Sequence, residues 1–146
     1  MFLAASALPA GAQTLRIAFK ASMDGTDPHQ TFTPNRNAQL HVWETLLTQD
    51  ATLRPRPQLA ESWRAVDPLT WEFKLRRDAV FHDGSPLTSA DAAFSIMRAR
   101  AATGPRTYAA AVRNVTAVET PDAHTLIVRT TVPTPLPTGC VNSKPG

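Results

Sequence analysis

TWEFKLRRDAVFHDGSPLTSAD, residues 70–91, holds a strand, a turn and a helix start in one continuous stretch. In residues 70–75 the apolar side chains Trp71, Phe73 and Leu75 alternate with Glu72 and Lys74, the period-two pattern of a strand with one buried face. Burying each of those three is worth about 1.5–3 kcal/mol. Val80 and Phe81 then lead into His82-Asp83-Gly84, a turn signal. Thr88-Ser89-Ala90-Asp91 resembles a capping box, a hydroxyl at the N-cap with a carboxylate three positions on. The helix it opens is expected to run to about Arg100, with Ala93, Phe94, Met97 and Ala101 at core spacing.

Downstream, Gly104-Pro105 breaks that helix. Residues 112–119 and 125–132 read as two strands around Pro121-Asp122-Ala123-His124, a hairpin. Beyond Val132 the prolines at 133, 135 and 137 punctuate a tail with no periodicity. Upstream, residues 48–57 have hairpin character, and Arg54-Pro55-Arg56-Pro57 rules out a central strand there. Residues 58–63 (QLAESW) read as a short helical turn. Residues 14–21 (TLRIAFKA) alternate as a half-buried strand, followed by a polar loop over 22–32. Thr33 as N-cap and Pro34 as first helical residue then start a helix, with Ala38, Val42, Trp43, Leu46 and Leu47 on one face. The order predicts a mixed α/β fold of short elements.

The chain has 146 residues, enough for one domain with a modest core. Its formal net charge is +3, and the basic residues are scattered without interleaved aromatics, which argues against nucleic acid as a partner. No run of about eighteen apolar residues occurs, so no membrane-spanning helix is expected. The single cysteine, Cys140, cannot form an intramolecular disulfide. His29, His41, His82 and His124 include no i, i+4 pair, and no CxxC or HExxH occurs, so neither a metal site nor a cofactor is expected. Ser62, Ser85, Ser89 and Ser95 lack a G-x-S-x-G setting and no glycine-rich phosphate loop is present; an enzyme is not expected. Residues 1–12 (MFLAASALPAGA) are uncharged and end in Ala10-Gly11-Ala12, the back half of a secretory signal peptide without its positive n-region.

Several segments, in order, resemble the extracellular solute-binding proteins of the oligopeptide, dipeptide and nickel class, family 5 of the ABC-importer receptors. They are Asp27-Pro28-His29, Glu44-Thr45-Leu46-Leu47, Leu59-Ala60-Glu61-Ser62-Trp63, residues 70–76, residues 80–91 and Asp122-Ala123-His124-Thr125-Leu126. The resemblance implies part of a class II periplasmic-binding-protein-like bilobal α/β fold. Residues 1–12 would be a partial signal peptide, 13–47 the start of lobe one, 48–132 an extra small domain, and 133–146 an irregular tail, with the second lobe missing. It also implies a periplasmic protein that captures a peptide or related small solute and delivers it to an inner-membrane ABC permease, without spanning the membrane. The resemblance further implies two regions of solute contact: Phe32, Thr33, Pro34 and Asn35 after the Asp-Pro segment, beside a helix N-terminus suited to polar groups, and Tyr108, the only tyrosine, an apolar ring with one polar handle. Thr33 and Pro34 have a purely structural role available as a helix start, and Tyr108 has one as a packed loop residue. The rival reading is a truncated secreted fragment that is non-functional or needs a partner.

Overall fold

The computed structural model describes Arg16 and residues 27–30, 39–104 and 108–134. The expected strand at 14–21 and the start of the helix at Thr33 lie outside these residues, as does the tail beyond 134. The described elements are β1 (Leu47–Gln49), β2 (Pro55–Pro57), β3 (Ala60–Asp67), β4 (Thr70–Leu75), α1 (Ser89–Ala101), α2 (Ala109–Val112), β5 (Val115–Asp122) and β6 (Thr125–Thr130). Strands β3 to β6 form one antiparallel sheet in the order β3-β4-β6-β5, and β1 pairs with β2 in a separate ribbon. The prolines at both ends of β2 suit that two-stranded ribbon, where few ladder donors are needed.

β4 lies between β3 and β6, and its alternation decides the layering. Phe73 stands opposite Trp63 on β3 and Leu126 on β6, and Trp71 stands opposite Ala65 and Val128. That face carries the core: Phe73 and Leu126 are fully buried, with Leu75 and Val128 nearly so. The other face carries charge, with Arg64 Nε donating to Glu72 Oε1 at 2.9 Å and Arg129 Nε to Glu119 Oε1 at 2.6 Å. The indole of Trp71 donates to the Thr134 carbonyl at 3.2 Å, which ties the end of the described chain to the central strand.

α1 covers the core face on the β5–β6 side. Its start is a capping box: the Thr88 N–H and hydroxyl both reach Asp91 Oδ2, at 2.9 and 2.6 Å. One residue on, the Ser89 N–H donates to the Ala123 carbonyl at 2.8 Å and its hydroxyl to the Asp122 carbonyl at 2.5 Å. Two bonds to the β5–β6 turn therefore set the roll of the helix. The turn before α1 closes through Phe81 and Ser85, and Gly84 sits at φ +83°, the left-handed region where a side chain costs energy.

Three expectations are corrected. Residues 58–63 are not a helical turn; from Ala60 they belong to β3, because pairing with β4 overrides the helical preference of Leu-Ala-Glu. The buried face of α1 is Ser89, Ala92, Ser95, Ile96 and Ala99, whereas Phe94 is 67% exposed and Met97 39%. The upstream helix does not continue to Leu47. Residue 39 is helical, turns follow, Leu46 is buried at a bend and Leu47 opens β1, with the Leu46 carbonyl accepting from Ala60 N–H at 2.9 Å.

Candidate functional site

Of the candidate solute contacts, Phe32, Thr33, Pro34 and Asn35 lie outside the described residues. Tyr108 stands immediately before α2, where its carbonyl accepts from the Ala111 N–H at 2.9 Å. It is 9% exposed and packs with the core, so little of its surface remains accessible. Its own N–H donates to the His29 carbonyl at 3.2 Å. The chain that leads into positions 32–35 is thereby brought against the second candidate region.

That leading segment is held by α1. Asp27 Oδ1 accepts from the His29 N–H at 2.9 Å, forming a local turn around Pro28. Arg98 donates to both Asp27 carboxylate oxygens, NH1 at 3.0 Å and NH2 at 2.5 Å. Its NH1 also lies 2.6 Å from His29 Nδ1, and His29 Nε2 lies 3.1 Å from Ser95 Oγ. Ser95 and Arg98 are one helical turn apart on α1, so one stripe of the helix grips the whole segment.

The electrostatics follow from burial and charge. The Arg98 guanidinium, as hydrogen-bond donor, holds the Asp27 carboxyl below the usual carboxylate range against an opposing desolvation cost. Burial pushes the His29 imidazole below its ordinary value, and the nearby Arg98 charge adds to this while Asp27 opposes it. Because a guanidinium can only donate, Nδ1 of His29 is the acceptor, which leaves the proton on Nε2 to donate to Ser95. Sequence reasoning singled out Asp27-Pro28-His29 but not its partners. The available signal was a serine and an arginine three apart on the helix, the arginine in its basic last turn. Among the described residues, no group of three His, Cys, Asp or Glu side chains converges on a common point, and no helix is long and apolar enough to cross a membrane.

Residues 54–144 match the family model described as bacterial extracellular solute-binding proteins, family 5 middle. The chain belongs to this family. Among its curated relatives, the periplasmic oligopeptide-binding protein OppA of Escherichia coli is 36% identical over 100 residues, covering 64% of this chain and 18% of that protein. A putative ABC transporter peptide-binding protein of Brucella ovis is 40% identical over 78 residues, 53% of this chain and 15% of the relative. The solved structure of Burkholderia pseudomallei OppA superposes with a TM-score of 0.73 at 27% identity, covering 80% of this chain and 27% of that one. NikZ of Campylobacter jejuni, solved with Ni(L-His), superposes at 0.72 over 84% of this chain and 26% of its own, and at 22% identity it shares the fold alone. The chain thus spans under a fifth of the E. coli relative's length. Its sheet and helices are those of a periplasmic-binding-protein-like α/β fold, and family 5 is a family of transport receptors, not of enzymes.

Proposed function

We propose that this chain contributes to the substrate-binding component of an ABC importer that captures peptides in the periplasm and presents them to an inner-membrane permease. The observation that carries this reading is the 36% identity to an oligopeptide-binding protein, sustained over 100 residues. Phe32, Thr33, Pro34, Asn35 and Tyr108 are the proposed contacts. Core packing holds the Tyr108 side chain and hydrogen bonds hold its backbone, so the small part of it that stays accessible needs little further ordering when a peptide meets it. An aromatic ring with one polar handle tolerates varied side chains, as a peptide receptor must. Capture proceeds by lobe closure, a population shift driven by contacts that exist only in the closed state. Residues 1–12 act as the export leader in this reading.

The test is transport by a hybrid. This chain, from residue 13 on, replaces the matching segment of E. coli OppA in cells lacking their own copy. Growth on an oligopeptide as the sole source of a required amino acid is expected. No growth, with the hybrid folded and present in the periplasm, contradicts the reading.

A further inference from the structure

His29 connects three stretches of chain at once. Its ring, in a residue only 6% exposed, lies between Ser95 Oγ at 3.1 Å and Arg98 NH1 at 2.6 Å, both on α1. Its carbonyl accepts the Tyr108 N–H at 3.2 Å. The charged groups facing the ring among the described residues are Arg98 from α1 and Asp27 from its own segment, while the α2 side brings the Tyr108 backbone. A proton on Nδ1 would set two donors, Nδ1–H and the guanidinium N–H, against each other at that short separation and place two positive charges side by side. Asp27 already accepts from Arg98 through both oxygens, so it can relieve the clash only by giving up part of that pairing.

We propose that His29 in its neutral form is the positioning residue that holds Tyr108 in place beside α1, and that protonating the ring shifts Tyr108 and weakens solute capture. This rests on the reading of Tyr108 as a solute contact. The device would make the receptor hold its solute more tightly at neutral than at mildly acidic pH.

Tyr108 is the only tyrosine in the chain, so labelling with nitrogen-15 tyrosine gives one amide signal, from the very N–H that bonds His29. On lowering the pH from about 7.5 through the His29 titration, that signal is expected to move with the same midpoint as the His29 ring nitrogens. His29→Asn keeps an acceptor toward Arg98 and cannot be protonated, so its Tyr108 signal should stay in place. A signal indifferent to the His29 titration, or one that moves equally in His29→Asn, overturns the proposal. Should His29→Asn not fold, Ser95→Ala serves instead: it should displace both midpoints together, and displacement of only one overturns the coupling. In the OppA hybrid, peptide affinity should fall about fivefold or more over the same interval. A moving Tyr108 signal with unchanged affinity overturns the link to capture. Unchanged affinity in Tyr108→Ala would instead remove the reading of Tyr108 as a contact and leave the His29 coupling standing.

Discussion

Arg98 and Asp27, 71 positions apart in sequence, meet in a two-pronged ion pair with N–O distances of 3.0 and 2.5 Å. Their side chains are 41% and 33% exposed, so water screens the attraction and the pair sits at the modest end of the salt-bridge scale. Its importance lies in what it fixes: the segment carrying His29 is held to α1, and through His29 the backbone of Tyr108 is held as well.

Asp27→Asn should therefore lower stability by about 1 kcal/mol or less, measured by urea unfolding at neutral pH. The larger effect should be local, with faster hydrogen exchange at the Tyr108 and His29 amides than at core positions such as Phe73. Equal acceleration throughout would contradict a local anchor.

Acid should loosen this anchor in two stages. The folded-state pKa of His29 is depressed below 6.5, so its contribution is fully present above that value and is lost as pH falls through the lower, folded pKa. The folded-state pKa of Asp27 is depressed below 3.8, so its contribution is present above 3.8 and is lost in stronger acid. Unfolding curves should show stability declining below about pH 6.5 in the wild type, and this first decline should be absent in His29→Asn.

Phe73→Ala should cost about 3–5 kcal/mol, because the ring is fully buried between Trp63 and Leu126 at the centre of the sheet. The readout is the urea midpoint. A cost under about 1 kcal/mol would mean that the site can collapse around the cavity.

Gly84→Ala isolates a backbone effect. Nothing lies within 4 Å of where a Cβ would stand, so the expected loss of about 1–2 kcal/mol comes only from the left-handed φ of +83°. Gly84→Asn should lose less, because asparagine tolerates that region better. Equal losses from both would point to a cause other than φ.

The parts of the fold that were legible in sequence are those where one physical signal dominates. β4 has the expected bounds, since Trp71, Phe73 and Leu75 alternate cleanly, and Thr88 with Asp91 announces the helix start. Residues 58–63 read as a helical turn, although β3 begins at Ala60, because the strand character there comes from partners on β4 that lie outside that short window. The buried face of α1 was misjudged for a related reason. Counting only apolar side chains favours Phe94 and Met97, yet the buried face includes Ser95, its hydroxyl answered by His29, beside Ala92, Ile96 and Ala99. Polar residues buried through long-range hydrogen bonds carry no mark of burial in the sequence itself. Tyr108 could be singled out as the only tyrosine, but its tie to His29 required the fold.

The most direct test of peptide capture is calorimetric titration of a defined pentapeptide into the purified OppA hybrid, with and without Tyr108→Ala, at neutral pH. Saturable binding by the hybrid is expected, with a loss of about tenfold or more in Tyr108→Ala, equivalent to about 1.4 kcal/mol, and Tyr108→Phe close to the parent. A folded hybrid that binds no peptide, or one whose affinity is the same in Tyr108→Ala, would contradict this expectation.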